Sequence, residues 1–143
     1  MDEHASGFDP RRWWVLLGIS VSGILVAIDF TIVNMCLPTI QHYFSVSTNI
    51  LQWLMLGFGI TFAACLASAG NLADIVGRRK VLYASIILFV TASLGAGLSP
   101  NIDFLIVMRF LQGLASAAIF PCGTAIIAST FPASERSTAI GIY

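Results

Sequence analysis

Two long apolar runs are joined by a short charged segment, Gly70-Asn71-Leu72-Ala73-Asp74-Ile75-Val76-Gly77-Arg78-Arg79-Lys80. Residues 30–73 and 81–102, on its two sides, contain no Asp, Glu, Lys or Arg. Two more charge-free runs cover residues 13–28 and 110–134. About 20 apolar residues in a helix cross a hydrocarbon layer roughly 30 Å thick, and lipid offers the backbone no hydrogen-bond partner. The runs therefore predict membrane-spanning helices.

The composition excludes several other classes of protein. Of 143 residues, 57% are hydrophobic and 10% are charged, against about 25% charged in a typical soluble domain. Seven basic and seven acidic residues cancel, which argues against a nucleic-acid-binding protein. The three cysteines, Cys36, Cys65 and Cys122, lack the paired spacing of metal sites, so we expect no metal or other cofactor. His4 and His42 have no nearby nucleophile, and we expect no enzymatic activity.

The sequence thus predicts an all-α integral membrane protein with four transmembrane helices and the start of a fifth. The predicted spans are residues 13–37, 50–70, 81–98 and 103–128. Residues 1–12 are predicted to form a tail. The predicted outer connections are residues 38–49 and 99–102, and the predicted cytoplasmic connections are residues 71–80 and 129–138. The fifth helix is expected to start within residues 139–143. Pro38 is expected to close the first helix because proline supplies no amide hydrogen.

The basic residues predict the orientation of the chain. If every predicted span crosses the bilayer, one side receives Arg11, Arg12, Arg78, Arg79, Lys80 and Arg136, and the opposite connections contain no Lys or Arg. The positive-inside rule places that side, with the N-terminus, in the cytoplasm. We expect a multi-pass protein of the cytoplasmic membrane.

Asp29 and Arg109 are charges inside predicted spans. Such a charge costs about 2.5 to 3.5 kcal/mol at a helix centre, so each must face protein or water. Counted from Leu37 and Asp103 at the outer ends of their helices, they lie about 12 and 9 Å deep. They can therefore pair, directly or through water. The alternative is a static ion pair that only fixes helix register.

Polar and small residues share faces with these two charges. Gln112, Gly113 and Ser116 follow Arg109 at helical spacing and predict a stripe that faces inward and lines a cavity. On the first helix, Thr31 and Asn34 point away from the face of Asp29, and they are candidates for the same cavity or for contacts with neighbouring helices. Desolvation favours a protonated carboxylic acid and a nearby guanidinium favours the carboxylate, so we hypothesise that Asp29 takes up and releases a proton.

The charged segment resembles motif A of the major facilitator superfamily, in Gly70-x-Leu72-Ala73-Asp74-x-x-Gly77-Arg78-Arg79. In that family the motif joins the second and third helices and acts as a conformational latch. The resemblance implies this role for Gly70, Asp74, Gly77, Arg78 and Arg79. Ile75 stands where the motif often has a basic residue.

Four further segments resemble the same family, in the expected order. Residues 28–38, Ile-Asp-Phe-Thr-Ile-Val-Asn-Met-Cys-Leu-Pro, resemble the first-helix motif of the fourteen-span drug:proton antiporters of the EmrB/QacA type, and Gln52-Trp53 fits that group. Residues 109–113, Arg-Phe-Leu-Gln-Gly, resemble motif B, whose arginine is implicated in proton transfer. Phe131-Pro132 with Glu135-Arg136 resembles the connection into helix five.

The resemblance implies part of the N-terminal six-helix bundle of a proton-coupled multidrug efflux antiporter. The expected partners are the lipid bilayer, protons and an amphipathic or cationic small molecule, without nucleic acid. Because family members have twelve or fourteen spans, we expect an amino-terminal fragment that does not transport by itself.

Two other functions fit the sequence. A self-contained four-span exporter that dimerises would share Asp29 as its proton site, as small multidrug resistance proteins share an acidic residue, although motif A and Arg109 argue against it. The chain could also be a non-transporting membrane subunit or the product of a truncated gene. Crosslinking in membranes and the nucleotide sequence downstream of Tyr143 would separate these functions.

Overall fold

The computed structural model describes residues 10–143, and regular structure in that range is α-helical throughout. The helices are α1 (Pro10–Phe44), α2 (Thr48–Val76), α3 (Arg78–Gly97), α4 (Ile102–Thr130) and α5 (Ala133–Ile142). The first four are long and apolar enough to cross a membrane. The predicted fold class is therefore confirmed. Of the predicted tail, residues 1–9 lie outside the described residues, and the remaining three begin α1.

Helix α4 lies at the centre of the bundle and contacts all the others, most extensively α2 and α3. It runs antiparallel to α1, because Trp13 near the start of α1 packs against Phe131 just beyond the end of α4. The ends of α1 and α3 and the starts of α2 and α4 form one end of the bundle, which we call the outer end after its predicted position.

Close packing of α2 against α4 depends on Gly113. A Cβ atom at this position would clash with the Phe58 carbonyl oxygen and would lie 3.1 Å from the Phe58 Cα. Because those atoms belong to the backbone of α2, no side-chain rotation could relieve the overlap. Small residues let helix backbones approach closely in membranes, and Gly113 has this function between α2 and α4.

The prediction that Pro38 ends the first helix is wrong, because α1 continues to Phe44. A proline inside a helix costs about 3 kcal/mol, and packing at the outer end offsets this cost. Leu37, Ile40 and Phe44 pack against a buried cluster of Leu51, Leu54 and Leu105. The predicted outer connection of residues 38–49 is reduced to residues 45–47, which join α1 to α2. Helix α4 likewise continues through Pro121.

The predicted cytoplasmic connections are also largely helical. Residues 71–76 extend α2 and residues 78–80 begin α3, so the chain leaves helical geometry only at Gly77, whose φ is 111°. Helix α4 ends at Thr130 and α5 begins at Ala133, within the predicted connection of residues 129–138. Charged side chains at the end of a helix can reach water while the backbone stays helical. The charged residues therefore led to predicted connections that are longer than the observed ones. The limits of the spans within a bilayer remain predictions.

Candidate functional site

An ion pair joins Asp29 on α1 to Arg109 on α4. Arg109 Nη1 donates to Asp29 Oδ2 at 2.6 Å, and the arginine and aspartate side chains are 1% and 12% exposed. The two residues are 80 positions apart in sequence, and the structure brings them into direct contact. Hydrogen bonds between charged partners are stronger than those between neutral groups, so this contact fixes α1 against α4.

Gln112 completes the site by binding both charges. Its Nε2 donates to Asp29 Oδ1 at 2.8 Å, and its Oε1 accepts from Arg109 Nη1 at 2.7 Å. Both carboxylate oxygens of Asp29 therefore accept a hydrogen bond from α4. The spacing of three residues predicted that Gln112 shares a face with Arg109. It did not predict that the amide bridges the ion pair.

The Arg109 guanidinium is only partly satisfied. Within the described residues, its Nε and Nη2 atoms are buried and have no hydrogen-bond partner. Its Cζ lies 5.0 Å from the ring centroid of Phe58 on α2. A ring face attracts a cation, and this contact partly offsets the cost of the unpaired donors, which is about 1 to 3 kcal/mol for a buried polar group. Sequence reasoning missed Phe58.

A cavity of about 410 Å³ connects this site with the outer end of the bundle. Asp29 and Arg109 lie on its wall, and the wall nearer the outer end includes Tyr43, Ser93 and Ser99. The cavity can admit water, because polar groups line it and it exceeds the space that one water molecule needs. The carboxylate of Asp29 is therefore accessible to water from this side.

Of the residues predicted to line a substrate cavity, only Gln112 lies at this site, and none of the five is on the wall of the cavity beside Asp29. Thr31 and Asn34 donate to carbonyls one turn earlier in α1, each at 2.9 Å. Gly113 and Ser116 are buried, and the Ser116 hydroxyl donates to the Gln112 carbonyl at 2.8 Å. The predicted inward stripe on α4 thus packs against neighbouring helices, and a substrate role for these residues stays a prediction.

The motif A residues divide between two sites. Arg78 donates to Asp74 Oδ1 at 2.9 Å and to the Ala125 carbonyl near the end of α4 at 3.2 Å. Gly77 forms the break between α2 and α3, whereas Gly70 lies inside α2. Arg79 points to another cavity, which it lines together with Trp14 and Tyr83. Asp74 and Arg78 therefore bind the α2–α3 junction to α4, and Arg79 does not take part.

Comparison with known proteins identifies the family. Residues 19–143 match the sequence profile of the Major Facilitator Superfamily. The chain belongs to this superfamily. As a major facilitator protein with four apolar helices of sufficient length, it is a multi-pass membrane protein.

Several relatives of this major facilitator chain carry names of resistance or export proteins. The puromycin resistance protein of Streptomyces alboniger is 38% identical over 96% of this chain and 27% of that protein. The tetracenomycin C resistance and export protein of Streptomyces glaucescens is 35% identical over 97% of this chain and 26% of that protein. The probable multidrug resistance protein EmrY of Escherichia coli is 29% identical over 92% of this chain and 26% of that protein. The chain spans about a quarter of the length of these relatives.

Proposed function

We propose that this chain forms the first helices of a proton-coupled multidrug efflux antiporter of the fourteen-span EmrB/QacA type. One observation carries the proposal: the carboxylate of Asp29, bound by Arg109 and Gln112, borders a cavity that leads to the outer end of the bundle. The names of the relatives support export of small molecules as the activity. The length of those relatives supports a part of a longer transporter, and the order of the motifs resembles its amino-terminal part.

Protonation of Asp29 would be the coupling step. A proton that enters through the outer cavity neutralises the carboxylate, and Arg109 then loses its charged partner. Two nitrogen atoms of the guanidinium already lack an acceptor among residues 10–143, so loss of the ion pair leaves a buried charge without compensation. A rearrangement of α1 relative to α4 would relieve this cost. In transporters with two helical halves, such a rearrangement can accompany rocking of one half against the other.

The orientation and the latch complete the proposal. We place the N-terminus and the basic clusters of residues 11–12 and 78–80 in the cytoplasm, and the cavity beside Asp29 on the outer side of the cytoplasmic membrane. The pair of Asp74 and Arg78 would hold the α2–α3 junction to α4 in one conformation, as a latch. The transported compounds would be amphipathic or cationic, as the resemblance to the drug:proton antiporters implies.

Transport in vesicles tests this function. A longer protein that contains this chain, called the complete protein below, is reconstituted beside the 143-residue chain. We expect an imposed pH gradient to drive movement of a cationic amphipathic dye by the complete protein, and a protonophore to stop it. Vesicles with only the 143-residue chain should move no dye. Dye movement by the short chain, or movement by the complete protein that ignores the gradient, would contradict the proposal.

A further inference from the structure

An apolar groove of about 580 Å³ lies between α2 and α3 on the side of the bundle away from Asp29, and α4 forms its floor. Its walls include Cys65, Leu72 and Val76 from α2 and Leu88 from α3, and its floor includes Leu114. We call this the α2–α3 groove. It does not involve α1 or any residue of the proton site.

The length of the groove matches one leaflet of a bilayer. Cys65 and Val76, at its two ends, are eleven residues apart, which corresponds to about 16 Å along a helix. Half of a hydrocarbon layer roughly 30 Å thick is about 15 Å. Leu72, Val76 and Ala84 are exposed along its walls, so a hydrocarbon chain can enter sideways from lipid without separating the helices.

One positive charge lies at the inner end of the groove, the end farther from the outer end of the bundle. Lys80, in the first turn of α3, is the only charged residue among the described residues that line it. The neighbouring arginines do not line the groove: Arg78 binds Asp74, and Arg79 borders the cavity that contains Trp14. All three basic residues also line a separate cavity beside Ser129. In the described range, residues 10–143, Lys80 takes part in no ion pair. Basic pockets between membrane helices on the cytoplasmic side are a recognised environment for anionic lipid head groups.

We propose that the α2–α3 groove binds one acyl chain of an anionic phospholipid, with the lipid phosphate bound by Lys80. An apolar channel one leaflet long with a single cation at its inner end complements a molecule with a hydrocarbon tail and a negative head. The inference depends on insertion of the chain in a bilayer. It depends neither on transport nor on proton exchange at Asp29.

Photo-crosslinking of lipid to the chain tests the proposal. The 143-residue chain is reconstituted in phosphatidylcholine vesicles with a trace of phosphatidylglycerol that carries a diazirine on its acyl chain, and adducts are mapped by peptide mass spectrometry. We expect adducts to concentrate on residues 65–76 and 80–88. The same diazirine on phosphatidylcholine should give about fivefold fewer adducts there, the effect of one basic side chain at a lipid surface. Excess inorganic phosphate should leave the adducts unchanged, and displacement by phosphate would instead indicate a site for the free ion.

Matched variants distinguish lipid binding in the α2–α3 groove from a general attraction of anionic lipid to basic side chains. Lys80→Gln should lower the phosphatidylglycerol adducts in the groove about fivefold, whereas Arg79→Gln, which removes the same charge from a residue outside the groove, should lower them less. Ala84→Phe should reduce adducts from both lipids by filling the groove, and Val90→Phe, on an exposed part of α3 outside the groove, should not. Adducts spread evenly over the exposed helices, or an equal loss in the Lys80 and Arg79 variants, would overturn the proposal.

Discussion

Replacing Asp29 with alanine is expected to lower the free energy of unfolding of this chain by about 3 to 5 kcal/mol, the usual cost of removing one partner of a buried ion pair. The cost arises because Arg109, 1% exposed, would keep its charge without a counter-ion. Gln112 would also lose the acceptor for its amide. Unfolding in mixed micelles of rising dodecyl sulfate content measures the effect. Tryptophan fluorescence is a suitable signal, because Trp13 packs against Phe131 where α1 meets α4.

Two controls distinguish the ion pair from a general loss of charge. Asp103→Ala removes an exposed carboxylate in the first turn of α4, and its cost should stay below about 1 kcal/mol, the size of a helix-dipole contribution. The double variant Asp29→Ala with Arg109→Met should recover most of the loss, since it removes the uncompensated charge as well. If Asp29→Ala alone were no more costly than Asp103→Ala, the ion pair would not be buried as described.

Replacing Gly113 with leucine is expected to destabilise the chain by about 3 kcal/mol, the upper part of the range for an overpacked site. The new side chain would occupy the space of the Phe58 backbone, so α2 and α4 would have to separate. Separation would also move the Phe58 ring away from Arg109, which it contacts at 5.0 Å. The same micelle titration measures the change.

Gly59 provides the matched control for this substitution. It lies one residue after Phe58 on α2, and no atom lies within 4 Å of the position that its Cβ would occupy. Gly59→Leu should not destabilise the chain, because leucine is a better helix former than glycine and its side chain meets open space. Equal losses from both substitutions would indicate that the α2–α4 contact is not as close as the structure has it.

Much of the ion-pair site could be predicted from the sequence, because a helix that crosses the membrane fixes the depth of each of its residues. Asp29 and Arg109 lie at similar distances from Leu37 and Asp103, the helix ends that the sequence predicted, and a charge in lipid needs a partner. Counting residues therefore led to the pair, although α1 continues to Phe44. The rotation of α2 about its axis could not be predicted in this way. Phe58 lies 51 positions before Arg109, and its place over the guanidinium depends on the packing of α2 against α4.

The sequence predicted which segments are helical better than it predicted the residues at which the helices end. Pro38 and the charged residues of positions 74–80 are local signals of a turn, and they led to connections that were too long. Contacts with other helices decided the end of α1 instead: Leu37 and Phe44 pack against a cluster that includes Leu51 on α2 and Leu105 on α4, which keeps α1 helical beyond the proline. Glycine indicated the helix break better than charge did at Gly77, where the backbone has a positive φ that glycine adopts without strain.

Proton-driven transport by an Asp29→Asn variant of the complete protein tests the central claim most directly. Asparagine keeps the size of the side chain and one carbonyl oxygen for hydrogen bonding, but it cannot exchange a proton. Asp103→Asn makes the same chemical change at an exposed position and should transport normally. We predict that Asp29→Asn still exchanges a labelled cationic dye across vesicles without a pH gradient, and that an imposed gradient no longer drives its net efflux. Full gradient-driven efflux by Asp29→Asn would contradict the assignment of Asp29 as the proton-coupling residue.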